Sequence, residues 1–163
     1  MALFRSIAGG CLFFGLAFGC GCSQKQSEES KAIVINEFLA SNQSGLEDED
    51  GTKGDWIELK NTSDESVSLG GWSLTDDATI PNKWNFPDVV IGPQAYLVVF
   101  ASGKDRKSTT LHTNFKLSSS GEYLGLFSPN DKVNPISHWK PAYPEQTADI
   151  SFGTHTAPGD HYL

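Results

Sequence analysis

From residue 32 onward, short apolar runs alternate with turn-forming residues at close intervals. Residues 32–39 make a nearly continuous apolar run, broken by Asn36 and Glu37. In Trp56-Ile57-Glu58-Leu59-Lys60 polarity alternates, so Ile57 and Leu59 share one face of an extended strand and Glu58 and Lys60 the other. Val67/Leu69 and Trp72/Leu74 flank a Gly70-Gly71 turn, and residues 96–101 are apolar on both faces, as in a central strand. Residues 114–117 and 122–127 flank Ser118-Ser119-Ser120-Gly121, which predicts a hairpin. Residues 136–139 and 149–152 complete roughly eight to nine strands. No window carries a capped helical period. Closely spaced strands without intervening helices predict an all-β sandwich or barrel.

The N-terminus has a different pattern. Arg5 is followed by an apolar run from Ile7 to Gly19. At roughly 13 residues this is too short to span a bilayer and has the length of a signal-peptide core. It ends Leu16-Ala17-Phe18-Gly19-Cys20, which resembles a bacterial lipobox. That resemblance implies cleavage of residues 1–19 as a signal peptide and lipid attachment at Cys20. Ala17 stands where the family prefers Leu, and Phe18 is bulkier than usual; Cys22 is the alternative acceptor, and an ordinary cleaved signal the alternative leader. Residues 20–31 then read as a polar tether, since Ser23-Gln24-Lys25-Gln26-Ser27-Glu28-Glu29-Ser30-Lys31 holds no apolar residue. Those nine residues reach at most about 30 Å.

Composition narrows the function classes. Hydrophobic residues at 38% and aromatics at 11% fit a globular chain, and 163 residues leave room for one domain, taken as 32–163. All three cysteines lie in the first 22 residues, so the body has neither disulfide nor thiolate metal site. The formal net charge of −8 disfavours nucleic acid and anionic lipid surfaces as partners.

Five phrases between Ile33 and Phe127 stand in a fixed order: Ile33-Val34-Ile35-Asn36-Glu37, Asp55-Trp56-Ile57-Glu58-Leu59-Lys60-Asn61, Gly71-Trp72-Ser73-Leu74-Thr75-Asp76-Asp77, Trp84-Asn85-Phe86-Pro87 and Asn114-Phe115-Lys116-Leu117-Ser118-Ser119-Ser120-Gly121-Glu122. Together they resemble the lamin tail domain of bacterial envelope proteins, which implies an immunoglobulin-like β-sandwich. The family's late phrase is matched by Asp149-Ile150-Ser151-Phe152-Gly153, after which Thr156-Ala157-Pro158-Gly159 arrives almost at once. The last edge element is therefore expected to be short, leaving an open sheet edge.

Candidate chemistry is sparse. Glu47-Asp48-Glu49-Asp50-Gly51, followed by Asp55, carries carboxylates at alternate positions, so Asp48, Asp50 and Asp55 are the candidate metal residues, for calcium. The competing reading is a solvated acidic loop between the first two strands. Trp56, Trp72, Trp84 and Trp139 read as packing residues, or else as a sugar-stacking platform if exposed. His112, His138, His155 and His161 have no metal-ligand spacing, and no Gly-x-Ser-x-Gly elbow or phosphate loop occurs. His112, just before Thr113-Asn114-Phe115, reads as positional.

The expected function is a non-catalytic, lipid-anchored cell-envelope domain that binds an envelope protein or a surface polymer, with no cofactor. The alternatives are a calcium-dependent or carbohydrate-binding module, and a structural protein that self-associates through its open edge.

Overall fold

The computed structural model describes residues 31–154. The signal peptide, Cys20, Cys22, the tether up to Ser30, His155, His161 and the Thr156–Gly159 close lie outside the described residues. The named elements are all strands: β1 (Ile33–Leu39), β2 (Trp56–Asn61), β3 (Val67–Ser68), β4 (Ser73–Thr75), β5 (Trp84–Asn85), β6 (Val90–Ile91), β7 (Tyr96–Phe100), β8 (Leu111–His112), β9 (Leu124–Phe127), β10 (Ser137–Trp139) and β11 (Phe152–Gly153). They form a five-stranded sheet in the order β11-β1-β2-β7-β8, a four-stranded sheet β10-β9-β4-β5, and a β3-β6 pair. The immunoglobulin-like sandwich expected from the sequence is the observed architecture. Its strand number exceeds eight to nine because five of the strands have only two residues.

The interruption at Asn36-Glu37 has a structural cause. Ile35 pairs with Leu59 and Glu37 with Glu58, so Asn36 is the extra residue of a β-bulge. The bulge changes the side-chain parity, which lets Ile33, Ile35 and Phe38 all point into the core, each fully buried. Ile57, Leu59 and Val99 join them from the five-stranded sheet, facing Leu74, Trp84, Leu124 and Leu126. Phe38 packs at 5.1 Å from Trp139 and 4.6 Å from Tyr143, which closes that end of the sandwich. At the bulge, the buried Ile35 N–H donates to Ser137 Oγ at 3.2 Å and so links the two sheets.

The Gly70-Gly71 turn and the expected Ser118–Gly121 hairpin both turn between sheets. The Gly70-Gly71 turn sends the chain from β3, which pairs with β6, to β4, which pairs with β5 and β9. Residues 114–117 form no strand with β9. The Gly121 N–H does close a turn on the Ser118 carbonyl at 3.2 Å, but the turn carries the chain from β8 in one sheet to β9 in the other. Local turn residues signal a reversal; which strand lies alongside is decided by the face each strand must bury. The phrase ending at Gly153 gives a short edge strand, in which Phe152 pairs with Phe38 and Gly153 with Glu37.

Candidate functional site

The acidic segment lies in the connection between β1 and β2, and that connection is tightly held. Asn42 Nδ2 donates to the carbonyls of Leu46 (2.7 Å) and Gly54 (2.9 Å), while its Oδ1 accepts the Gly45 N–H (2.9 Å). Asp55 Oδ1 accepts the Asn42 N–H at 3.3 Å. From the far end of the chain, Asp149 accepts the N–H groups of Gln43 (2.7 Å) and Ser44 (2.8 Å). Asp48 Oδ1 takes the N–H groups of Asp50 (3.0 Å) and Thr52 (2.9 Å), shaping the tip of the loop.

This loop lies over apolar surface. Leu39, Trp56 and Phe100, with Val98 against them, form a second apolar cluster apart from the main core. A methyl group on Gly45 would sit 3.9 Å from Leu39 Cδ2, and one on Gly54 3.7 Å from Phe100 Cδ1. The Phe100 ring also stacks on His112, with centroids 5.4 Å apart and planes at 21°.

Cations from the β7–β8 connection clamp the loop. Lys104 Nζ pairs with Asp48 Oδ2 and, at 2.7 Å, with Asp50 Oδ2. Arg106 bonds Glu49 Oε1 at 2.6 Å and Asp50 Oδ2 at 2.7 Å. His112 Nε2 lies 2.9 Å from Glu49 Oε2, and its Nδ1 is 2.8 Å from Ser102 Oγ. These contacts set the local acidities. The His112 hydrogen bond, then that of Arg106, lower the Glu49 carboxyl from its ordinary 4.5 to about 2. Burial opposes the charge on Asp48, but bonds from Lys104 and the Thr52 and Asp50 amides outweigh it and hold that carboxyl low. Asp50 is lowered first by Lys104, and Lys104 is raised in return by Asp48 and Asp50. Asp55 moves the other way, raised by burial.

The structure therefore brings Asp48 and Asp50 to one ammonium group and engages Asp55 separately, at the base of the loop. These three carboxylates do not form a mutually close ligand set. Among the described residues, the group of three ligand atoms lying within 4.8 Å of one another belongs to Asp48, Glu49 and His112. Glu49, Ser102, Lys104, Arg106 and His112 were not among the metal candidates of the sequence; the Lys104-x-Arg106 pair in an acidic chain is the local signal that could have pointed to them. His112, read as positional, is fully buried at the centre of the cluster. Ser102, His112 and Glu49 stand in hydrogen-bonded series, but Ser102 Oγ also accepts the Lys104 N–H at 3.3 Å. With both ring nitrogens engaged beneath the loop, the series serves to hold the loop down.

All four tryptophans are buried, between 1% and 9% exposed, so none offers an open face for stacking a sugar. The Trp56 indole N–H is sealed from solvent without a hydrogen-bond acceptor.

A comparison with curated proteins returned no match. The family model of the lamin tail domain matches residues 26–140, well over half of the chain. The match spans β1 to β10 and thus strands of both sheets of the sandwich, together with the clamped β1–β2 loop. Its domain is immunoglobulin-like and generally non-catalytic. On this match and on the sandwich it folds into, the chain belongs to the lamin tail domain family.

Proposed function

We propose that this protein is a lipid-anchored, non-catalytic interaction domain of the bacterial cell envelope, presenting its acidic-loop end to a partner protein or surface polymer. One observation supports that orientation above others. The described chain enters β1 at Ile33, and β1 continues through the Asn36 bulge to Leu39, where the connection carrying the clamped loop begins. Seven strand residues at about 3.3 Å each place the loop roughly 20 Å from the point of entry. A tether fixed at Cys20 would hold the entry end near the membrane and turn the loop end away from it. The partner-facing end would then be the rigid one, since Asn42, Asp149, Lys104 and Arg106 all restrain it, which lowers the ordering cost of binding.

Two measurements test the reading. Labelled palmitate should follow the parent protein and vanish in Cys20→Ser; label that persists in that variant removes the proposed anchor. A photo-crosslinking residue placed at Glu47, on the loop, should capture envelope components, whereas one at Asp64, at the entry end, should not. Equal capture from both positions, or none from Glu47, refutes the orientation.

A further inference from the structure

The loop that reads as a calcium site from its alternating carboxylates folds against an imidazole, and that changes the chemistry of its ligands. The geometry points to a binding site for a divalent transition-metal ion, zinc or a zinc-like ion, formed by carboxylate oxygens of Asp48 and Glu49 and Nε2 of His112, with Lys104 as its built-in competitor.

The three ligand atoms already lie within 4.8 Å of one another. His112 and Asp48 are each oriented by a contact to the side chain's other polar atom. His112 Nδ1 is fixed by Ser102 Oγ at 2.8 Å, the kind of outer contact that sets ring direction in metal-ligating histidines. Asp48 uses Oδ1 for two backbone N–H groups and turns Oδ2 inward. The side chains of His112 and Asp48 are fully buried, so these two are held near the site before any ion arrives. An imidazole with two carboxylates suits zinc or cobalt; calcium takes six to eight oxygens.

Charge leaves room for the ion. Asp48, Glu49 and Asp50 carry three negative charges against the two permanent positive charges of Lys104 and Arg106. Asp50 also provides an exit for the competitors. Its Oδ2 lies 2.7 Å from both Lys104 and Arg106, so both cations keep a partner when Asp48 and Glu49 turn to a metal. The ion would take the Nε2 lone pair, leaving Nδ1 to its contact with Ser102 Oγ, a hydroxyl that can serve as donor or acceptor.

The test uses the full chain with Cys11, Cys20 and Cys22 changed to serine, titrated with Co²⁺ alone and followed by its visible absorption, then with Zn²⁺ in competition. One ion should bind, and Zn²⁺ should displace Co²⁺. His112→Asn should weaken binding by more than about 10- to 100-fold, the scale of losing only an outer contact to a ligand. Lys104→Met should strengthen it several-fold, because the resident ammonium is gone; a purely structural clamp would give no such gain. Asp55→Asn should change nothing. Should His112→Asn fail to fold, the direction of the Lys104→Met effect decides. An adventitious ion only, bound equally by the parent, His112→Asn and Lys104→Met, overturns the proposal, as does weaker binding in Lys104→Met or preference for Ca²⁺ over Co²⁺.

Discussion

Asn61, the last residue of β2, is fully buried and holds together three parts of the chain that share no strand pairing there. Its Nδ2 donates to the carbonyls of Glu65 (2.6 Å), Gly92 (2.9 Å) and Ile91 (3.1 Å). Two hydrogens serve three acceptors, so one bond is shared. Its Oδ1 accepts from Ser63 N (3.0 Å) and Ser63 Oγ (2.8 Å). Truncation by Asn61→Ala takes a side-chain donor from three carbonyls at about 1 kcal/mol each, the Ile91 carbonyl still facing its strand partner Val67. The total of about 3 kcal/mol, with a urea slope of about 1.5 kcal/mol/M, moves the unfolding midpoint down by about 2 M. Asn61→Asp keeps the shape and the Ser63 contacts but turns a carboxylate oxygen toward the same carbonyls. At neutral pH it should therefore cost more than alanine, and the deficit should shrink on acidification, as the protonated acid regains a donor. Urea unfolding of parent and both variants at about pH 7 and pH 4 measures this. A loss below about 1 kcal/mol for Asn61→Ala, or an aspartate tolerated better than alanine at pH 7, refutes the reasoning.

The clamp has a defined acid limit. Glu49, lowered from 4.5 to about 2 by His112 and then Arg106, contributes stability that is complete above about pH 4.5 and lost as pH falls toward 2. Urea midpoints between those values should fall more steeply for the parent than for Glu49→Gln; parallel curves would remove Glu49 from the clamp's energetics. Gly121 and Gly103 both have positive φ, 92° and 77°, but their surroundings differ. A methyl group on Gly121 would run into the Tyr143 carbonyl oxygen, whereas on Gly103 it meets only flexible Lys116 carbons at 3.8 and 3.9 Å. Thermal unfolding should thus show Gly121→Ala losing about 2–3 kcal/mol and Gly103→Ala about 1 kcal/mol; equal losses would mean that the crossing between sheets is not tight.

Much of the scaffold is legible in the sequence. Alternation in residues 56–60 set the two faces of β2, and apolarity on both faces of residues 96–101 matched β7, which lies between β2 and β8. These are local properties with a period of two residues, and local pattern is enough to read them. Strand partners were not legible. Ser118–Gly121 reads as a hairpin, and Gly70-Gly71 as a turn of unstated destination, because a turn's composition reports the reversal and not where the chain goes.

The site was read only in part, for a related reason. Composition alone drew attention to Asp48 and Asp50, but the groups that neutralise them are remote, Lys104 lying 56 positions from Asp48 and His112 63 positions from Glu49. No one-dimensional signal ties such pairs together. By itself the sequence determined a β-sandwich with an acidic connection after its first strand, because burial patterns and turn residues act over a few positions. Only the tertiary structure decided that the Asn36 bulge turns Phe38 inward, and that the acidic connection is clamped over Leu39 and Phe100 with an imidazole among its carboxylates. Those outcomes depend on which distant segments share a face, and packing across two sheets settles that where local preference cannot.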